Sequence, residues 1–357
     1  MADAAAYGRF FTESGDPTMH ARHVPETIFY RWAIRELAAM LACAPTTEAV
    51  LAARGRMSAD ALARRLLGDA NIAVLLVDHG YRTDETWPPS ELAARLPCRI
   101  LPILRLETLA QELIVRHETF DAMLDAYSAT VERARADGFV GLKSIIAYRT
   151  GLAVQATLRS DAAAAFGPVK ECARRDGRVR LATKALNDYL LLVALEIAER
   201  QAMPVQIHTG FGDADLDLRE ANPLHLRPLL ESGRYANVPF VLLHASYPYV
   251  RELGYLAAIY ANLWADVGLA IPHLAAEIPT MLRQLLAVAP TTKIVYSSDA
   301  SQIPELFWIA ARWARRGLGT VLDELIALGA LEVEEALVVG QRVLGGNAAG
   351  LYGLPWP

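Results

Sequence analysis

The stretch Pro204-Val-Gln-Ile-His-Thr-Gly-Phe-Gly-Asp213 decides the fold, because an apolar run ends there at a histidine and a glycine-rich loop begins. Similar apolar runs lead to His244 and to Asp299, and an earlier one closes at Lys143. Continuous apolar runs of this length are typical of parallel strands that are covered on both faces. Since the carboxyl ends of parallel strands meet at one edge, we expect the four polar side chains to lie at one mouth.

Seven such runs alternate with helical stretches from residue 71 onward, which predicts an α/β fold with a parallel sheet. The predicted architecture is a (β/α)8 TIM barrel whose first strand is lacking or atypical, because seven units are one short of a closed barrel. Residues 1–70 carry no strand signal, and we predict that they form a helical segment packed on the barrel of residues 71–357, within one structural domain. A doubly wound open sheet stays an alternative, although no Gly-x-Gly-x-x-Gly follows the first run.

The composition is that of a protein with a large core and little net charge. Hydrophobic residues make up 53% of the 357 residues, and the formal net charge is −5. The acidic balance argues against a nucleic-acid partner. No apolar run approaches the roughly 20 residues of a membrane helix, and three scattered cysteines without a CxxC motif fit a reducing compartment. We therefore expect a cytoplasmic protein with a small-molecule substrate and no membrane partner; a homo-oligomer stays open.

His208 and His244 are 36 residues apart, which is the length of one βα unit. Neutral imidazoles are good ligands for zinc or iron, whereas two histidines satisfied by hydrogen bonds at strand ends are the structural alternative. Asp299 and Lys143 lie at equivalent positions, at the ends of two other apolar runs, and this favours a metal site over the structural alternative. Asp299 could bind the metal and also take a proton from a water, or it could cap the helix that follows Gln302.

Several further side chains are candidates with open roles. Lys143 could pair with a carboxylate, bind substrate, or become carbamylated and bridge metal ions. Arg149 could hold a substrate carboxylate through a bidentate pair, and Tyr247 could line the pocket, although an exposed surface loop is the better explanation of both. His79 follows the first strand-like run and could reach the mouth.

Five segments together carry a family resemblance: Gln206-Ile-His-Thr-Gly-Phe-Gly212, Leu242-Leu-His-Ala-Ser-Tyr-Pro248, Tyr296-Ser-Ser-Asp299, Phe139-Val-Gly-Leu-Lys-Ser144 and Gly346-Asn-Ala-Ala-Gly-Leu-Tyr352. They resemble the amidohydrolase superfamily, specifically the amidohydrolase-2 branch of FluG-like and uronate-isomerase-like proteins. The resemblance implies a barrel with one or two divalent metals, usually zinc, with manganese or iron as alternatives. It also implies His208 and His244 as ligands, Asp299 as ligand and proton shuttle, and Lys143 where some members carry a carbamylated lysine.

The sequence departs from this family at its beginning. The family opens with a strand bearing His-x-His, whereas here His20 and His23 are spaced His-x-x-His and precede a helical segment. The count of seven units favours a missing first strand over a loss of those two ligands.

These observations predict a metal-dependent hydrolase that cleaves a C–N, amide-type bond of a small polar substrate through a metal-activated water. Two alternatives stay open. One is a metal-dependent decarboxylase or other lyase on the same barrel, and the other is a degenerate, non-catalytic barrel.

Overall fold

The computed structural model describes residues 4–81 and 87–356. Within these ranges seven strands form one parallel sheet in the order of the chain. The strands are β1 Val74–Asp78, β2 Arg99–Arg105, β3 Gly141–Ser144, β4 Val205–Ile207, β5 Phe240–Leu242, β6 Leu263–Asp266 and β7 Ile294–Val295. The predicted α/β fold of the TIM-barrel kind is confirmed, and all seven predicted runs contain a strand.

Strands that are neighbours in sequence are neighbours in the sheet, as they are in a (β/α)8 barrel. Val205 of β4 lies opposite Leu142 of β3 on one side and Phe240 of β5 on the other. All residues of β3 and β5 are buried, whereas all five residues of β1 are only half-buried. In the described part of the chain, β1 and β7 are the two edges of this sheet.

The described residues also form sixteen α-helices, with shorter helical turns between some of them. The helices are α1 Ala4–Gly8, α2 Ile28–Leu41, α3 Thr47–Gly55, α4 Ala59–Asp69, α5 Pro89–Arg95, α6 Leu106–Arg116, α7 Phe120–Arg133, α8 Arg159–Asp176, α9 Lys184–Gln201, α10 Arg227–Glu231, α11 Val250–Ile259, α12 Ala270–Leu274, α13 Ile278–Leu286, α14 Pro304–Ala327, α15 Val333–Gln341 and α16 Asn347–Tyr352. Across residues 4–81 and 87–356, none of these helices combines the length and apolarity needed to cross a membrane.

Capping residues divide the helical stretches more finely than the sequence pattern predicts. Residues 106–136 look like one helix, but the Thr119 side chain accepts a hydrogen bond from the Ala122 amide at 3.2 Å and begins α7 separately from α6. Residues 160–202 likewise contain two helices, because Gly177 ends α8 in the left-handed region at φ 67°. In the amino-terminal segment, α2 begins at Ile28 after the Thr27 side chain, which accepts a hydrogen bond from the Tyr30 amide.

The amino-terminal helices pack on α14, the long helix that follows the last strand. Arg54 donates to the Glu305 carboxylate at 2.5 Å, and the Trp308 indole donates to Asp69 at 2.6 Å. Trp32 stacks on Trp313 with ring centroids 4.3 Å apart. Apolar residues of the amino-terminal helices and of the barrel belong to one contiguous hydrophobic core.

Candidate active site

Polar side chains collect where the parallel strands end, at the carboxyl edge of the sheet. His208 follows β4 directly, and His244 lies two residues beyond β5. Asp78, Arg105 and Asp266 are the last residues of β1, β2 and β6. Since the strands run parallel, their ends place these groups at one mouth, as in other barrels with active sites at that face.

The two histidines are in contact, as the strand register requires. The His244 Nε2 and His208 Nδ1 atoms are 2.9 Å apart, and the side chains are 1% and 4% exposed. The other nitrogen of each ring, His208 Nε2 and His244 Nδ1, is buried without a hydrogen-bond partner among the described residues. Burial lowers the pKa of both imidazoles, and the positive charge of Lys143 lowers it further. Both rings are therefore neutral near pH 7, the form that binds metals.

A strained turn fixes His244 in its position. His244, Ala245 and Ser246 have φ values of 68°, 52° and 47°, so three consecutive residues lie in the left-handed region. Such residues cost about 1–3 kcal/mol each and persist where surrounding contacts hold them. Here the Thr209 hydroxyl donates to the Leu243 carbonyl at 2.7 Å and is 2.7 Å from the Ser246 hydroxyl oxygen.

Asp266 supports the same turn from the neighbouring strand. Its Oδ1 accepts hydrogen bonds from the His244 amide at 3.2 Å and from the Gly268 amide at 2.9 Å. Burial raises the pKa of Asp266 to about 6, while these hydrogen bonds and one from Ser297 oppose the rise. A carboxylate behind a candidate ligand is a common way of orienting it.

Asp299 approaches the histidine pair from the end of β7. Its Oδ2 lies 4.0 Å from His244 Nδ1, its side chain is 36% exposed, and its φ of 50° is again left-handed. Withdrawal from water raises the pKa of Asp299, and the charge of Lys143 opposes this. The helix cap considered for Asp299 is wrong, because α14 begins at Pro304 with Ile303 in the capping position.

The described residues fit a divalent cation in their chemistry. The two ring nitrogens that face each other are 2.9 Å apart, a hydrogen-bond distance, and the imidazole nitrogen left on each ring and the Asp299 carboxylate are ligand types that zinc accepts. Asp299 supplies an oxygen beside the unpartnered His244 Nδ1. In residues 4–81 and 87–356, no group of three or more His, Cys, Asp or Glu side chains lies in an arrangement that could hold a metal ion without some movement of side chains.

A cationic cluster lies next to the histidines. The Arg105 Nε and Nη2 atoms donate to one oxygen of Asp78, Oδ2, at 2.7 and 2.5 Å. The Lys143 Nζ lies 3.6 Å from the same oxygen. Burial would raise the pKa of Asp78, but the charges of Lys143 and Arg105 outweigh it and lower the pKa, so Asp78 is ionised. Of the three roles open to Lys143, the ion pair with Asp78 corresponds to the first, pairing with a carboxylate.

Aromatic side chains and the amino-terminal segment border the mouth. The Tyr148 ring packs on His208 with centroids 4.5 Å apart, and its hydroxyl accepts from the Asp213 amide at 3.1 Å. His273, to which the sequence assigns no role, packs against Phe211. Its Nε2 is 3.4 Å from a carboxylate oxygen of Glu13, which lies in the amino-terminal segment.

The remaining predicted site residues lie near the rim. Arg149 Nη1 is 3.9 Å from Asp215 Oδ2, and its Nε is buried without a partner among the described residues. Tyr247 packs edge-on against Phe211 with ring centroids 5.5 Å apart. The His79 Nε2 also lacks a partner in the described part of the chain, and burial lowers the pKa of His79. Substrate binding by Arg149 and Tyr247 stays a prediction.

Sequence reasoning missed Asp78, Arg105 and Asp266 as parts of the site. Each is the last residue of a strand, which is the signal that identified His208, His244 and Lys143. The carboxylate and guanidinium at the ends of the first two runs could have been found by applying that rule to every strand. Glu13 could not, because its segment is irregular and reaches the mouth only through tertiary packing.

The family model of amidohydrolases matches residues 122–354, more than half of the chain. The chain belongs to the amidohydrolase family. This amidohydrolase is 37% identical over 240 residues to protein fluG of Emericella nidulans; the match covers 64% of the chain but only 27% of that relative's length. The predicted superfamily is confirmed, and the chain is an enzyme of the amidohydrolase type.

Solved structures show the same fold. A Lactobacillus casei protein named as a candidate metal-dependent hydrolase has a TM-score of 0.87 and 31% identity, and the match covers 98% of this chain and 90% of that one. A uronate isomerase of Thermotoga maritima has a TM-score of 0.65 at 14% identity, with 98% of this chain and 82% of that chain covered. At that identity the second likeness shows the fold alone.

Proposed function

We propose that this amidohydrolase is a metal-dependent hydrolase that cleaves a C–N, amide-type bond of a small polar substrate. The observation that carries the proposal is the contact between two buried, neutral histidines at the carboxyl edge of a parallel sheet, each with an unpartnered nitrogen, beside Asp299. The name of the Lactobacillus casei protein supports the dependence on a metal.

His208, His244 and Asp299 would hold one divalent cation. Zinc is our first candidate because imidazole nitrogen and carboxylate oxygen are common zinc ligands, and manganese or iron are alternatives. The sequence also predicts Lys143 as a ligand. When bound, such an ion polarises a substrate carbonyl and makes an attacking water more acidic.

The protein groups carry out the proton transfers and the positioning. Asp299 lies at the rim of the pair, where its carboxylate would accept a proton from the attacking water and return it to the leaving amine. The turn at His244 is already held by Asp266 and Thr209, so little reorganisation is needed at the moment of reaction. Tyr148 covers one face of His208 and limits the access of bulk water.

Metal content and hydrolysis, measured on the same samples, test this proposal. We expect close to one equivalent of a divalent metal by elemental mass spectrometry and release of amine from a panel of carboxylate-bearing and neutral amides. His244→Ala should lose both. His225→Ala is the matched control, since the ring of that half-buried histidine is hydrogen-bonded to the Arg219 carbonyl and to no residue of the candidate site among the described residues.

Asp299→Asn separates binding from proton transfer. We expect it to keep a substantial share of the metal and to lose hydrolysis by a factor of about 10² or more, the usual contribution of a general base. A protein that contains no metal, and that gains no hydrolytic activity with added zinc, manganese or iron, would refute the proposal.

A further inference from the structure

Arg105, Lys143 and Asp78 form a compact charged group whose charges do not balance. One carboxylate faces two cations, and the three side chains are only 11%, 10% and 13% exposed. A buried charge is costly unless it is paired and hydrogen-bonded. The group therefore holds one excess positive charge that water screens poorly.

The carboxylate of Asp78 has little capacity left for a second cation, because three of its roughly four acceptor positions are used. Its Oδ2 already accepts two hydrogen bonds from Arg105, and its Oδ1 accepts one from the Gly80 amide at 2.9 Å. The Lys143 Nζ atom is farther away, 3.6 Å from Asp78 Oδ2. Within residues 4–81 and 87–356 this ammonium group makes that ion pair but no hydrogen bond. Its ammonium donors, and the Nη1 of Arg105, are therefore not used by Asp78.

The cluster adjoins the candidate metal site. Burial lowers the pKa of His208 and of His244, and the charge of Lys143 lowers both further; the same charge opposes the rise that burial causes in the pKa of Asp299. Asp299 and Glu107 are further carboxyl groups that interact with these charges, Asp299 with that of Lys143 and Glu107 with that of Arg105. Glu107 accepts a hydrogen bond from Ser144 at 2.6 Å, and the proposed function commits Asp299 to the metal. Glu13 is paired with His273.

We propose that Arg105 and Lys143 form an anion-binding subsite that receives a carboxylate of the substrate, and that Asp78 positions the two cations. The substrate class is then a carboxylate-bearing amide, with its scissile bond at the histidine pair. Two donors that converge on one anion form charge-assisted hydrogen bonds, which are stronger than neutral ones. This inference rests on the proposed function only in taking the bound anion to be part of the substrate.

Malonate and its neutral isostere malonamide are suitable probes, with binding followed by isothermal titration calorimetry. We expect malonate to bind at least about tenfold more tightly than malonamide, the effect of one charge-assisted hydrogen bond. Because malonate also binds metals, the titration is made on the protein as purified and again after treatment with a chelator. The preference should persist in both.

Arg105→Met should weaken malonate binding by about tenfold or more and leave malonamide unchanged. Arg219→Met is the matched control, since Arg219 is a loop arginine with an 87% exposed side chain paired to Asp217, and its loss should leave both affinities unchanged. Lys143→Met provides the same comparison if the Arg105 variant does not fold.

Equal affinity for malonate and malonamide in the wild-type protein, or equal malonate affinity in the Arg105 and Arg219 variants, would overturn the subsite. Metal content and amide hydrolysis on the same samples keep the two proposals apart. A malonate preference without metal or hydrolysis refutes the proposed function and keeps the subsite. Metal and hydrolysis without a malonate preference refute the subsite and keep the function.

Discussion

Gly210 offers a quantitative test of how tightly the loop after His208 is packed against the turn after His244. Its φ of 70° is left-handed, and the Phe211 amide donates to the Tyr247 carbonyl at 2.8 Å. A Cβ atom at Gly210 would lie 2.5 Å from the Tyr247 carbonyl oxygen and 2.7 Å from that of Ser246. Both are backbone atoms, so the collision cannot be relieved by turning a side chain.

The expected cost of Gly210→Ala has two parts. A residue with a Cβ in the left-handed region costs about 1–2 kcal/mol. Forcing a methyl group into a packed backbone contact costs about 1–3 kcal/mol more. We therefore expect the free energy of unfolding to fall by about 2–5 kcal/mol.

Gly177→Ala separates the two parts. Gly177 has nearly the same φ, 67°, but no atom lies within 4 Å of the position of its Cβ. The gain from a less flexible unfolded chain is the same for both substitutions and cancels in the comparison. Only the conformational cost remains for Gly177→Ala, so Gly210→Ala should be less stable by about 1–3 kcal/mol.

Urea denaturation followed by tryptophan fluorescence measures both variants. Metal content should also fall in Gly210→Ala and stay unchanged in Gly177→Ala, because only Gly210 contacts the turn that holds His244. If the two variants agree within about 0.5 kcal/mol, the loop yields without strain and the rigid support inferred for the histidine pair is wrong.

Two further substitutions test the floor and the rim of the site. Burial raises the pKa of Glu107, and the hydrogen bond that Glu107 accepts from Ser144 opposes the rise. Because the pKa is higher in the folded than in the unfolded protein, the contribution of Glu107 to the free energy of unfolding is complete below the unfolded pKa. That contribution is lost as the pH rises through the folded pKa. In urea denaturation at a series of pH values, the free energy of unfolding should fall with rising pH by up to about 1.4 kcal/mol per pH unit, and Glu107→Gln should remove this dependence. Glu112→Gln, on the exposed face of α6, should leave the dependence unchanged. A Cβ at Gly212 would collide with the Tyr148 hydroxyl and lie 2.8 Å from the ring carbon that bears it, so Gly212→Ala should cost about 1–3 kcal/mol. Tyr148→Ala removes both atoms, so the two losses should be less than additive in a double-mutant cycle, and additive losses would contradict the contact.

The strands and the histidine pair are predictable from sequence for one physical reason. Parallel strands that are covered on both faces have continuous apolar sequences, so His208 and His244 stand out as the polar residues at which two such sequences end. The register between β4 and β5 then brings them together, because the strands run parallel and adjacent. The same rule extends to Arg105 and Asp78, which the sequence analysis left unused.

Other features depend on contacts that no local pattern encodes. The split of residues 106–136 into two helices depends on a single capping hydroxyl at Thr119. The ion pair of Lys143 with Asp78 joins β3 to β1, two strands away. The contact of Glu13 with His273 joins the amino-terminal segment to α12, the short helix after β6, and only the packing of the whole chain brings them together.

The packing of the amino-terminal helices on α14 has a consequence for the order of folding. Each strand pairs with its sequence neighbour, so the sheet can grow by local steps along the chain. The contacts Arg54–Glu305 and Trp308–Asp69 instead join residues 251 and 239 positions apart. Closing such long loops carries the largest entropic cost. Glu13 lies before Arg54 and Asp69 in the chain, and Asp299 lies shortly before Glu305 and Trp308. We therefore expect Glu13 and Asp299, the acidic side of the mouth, to come together last, when the two ends of the chain meet.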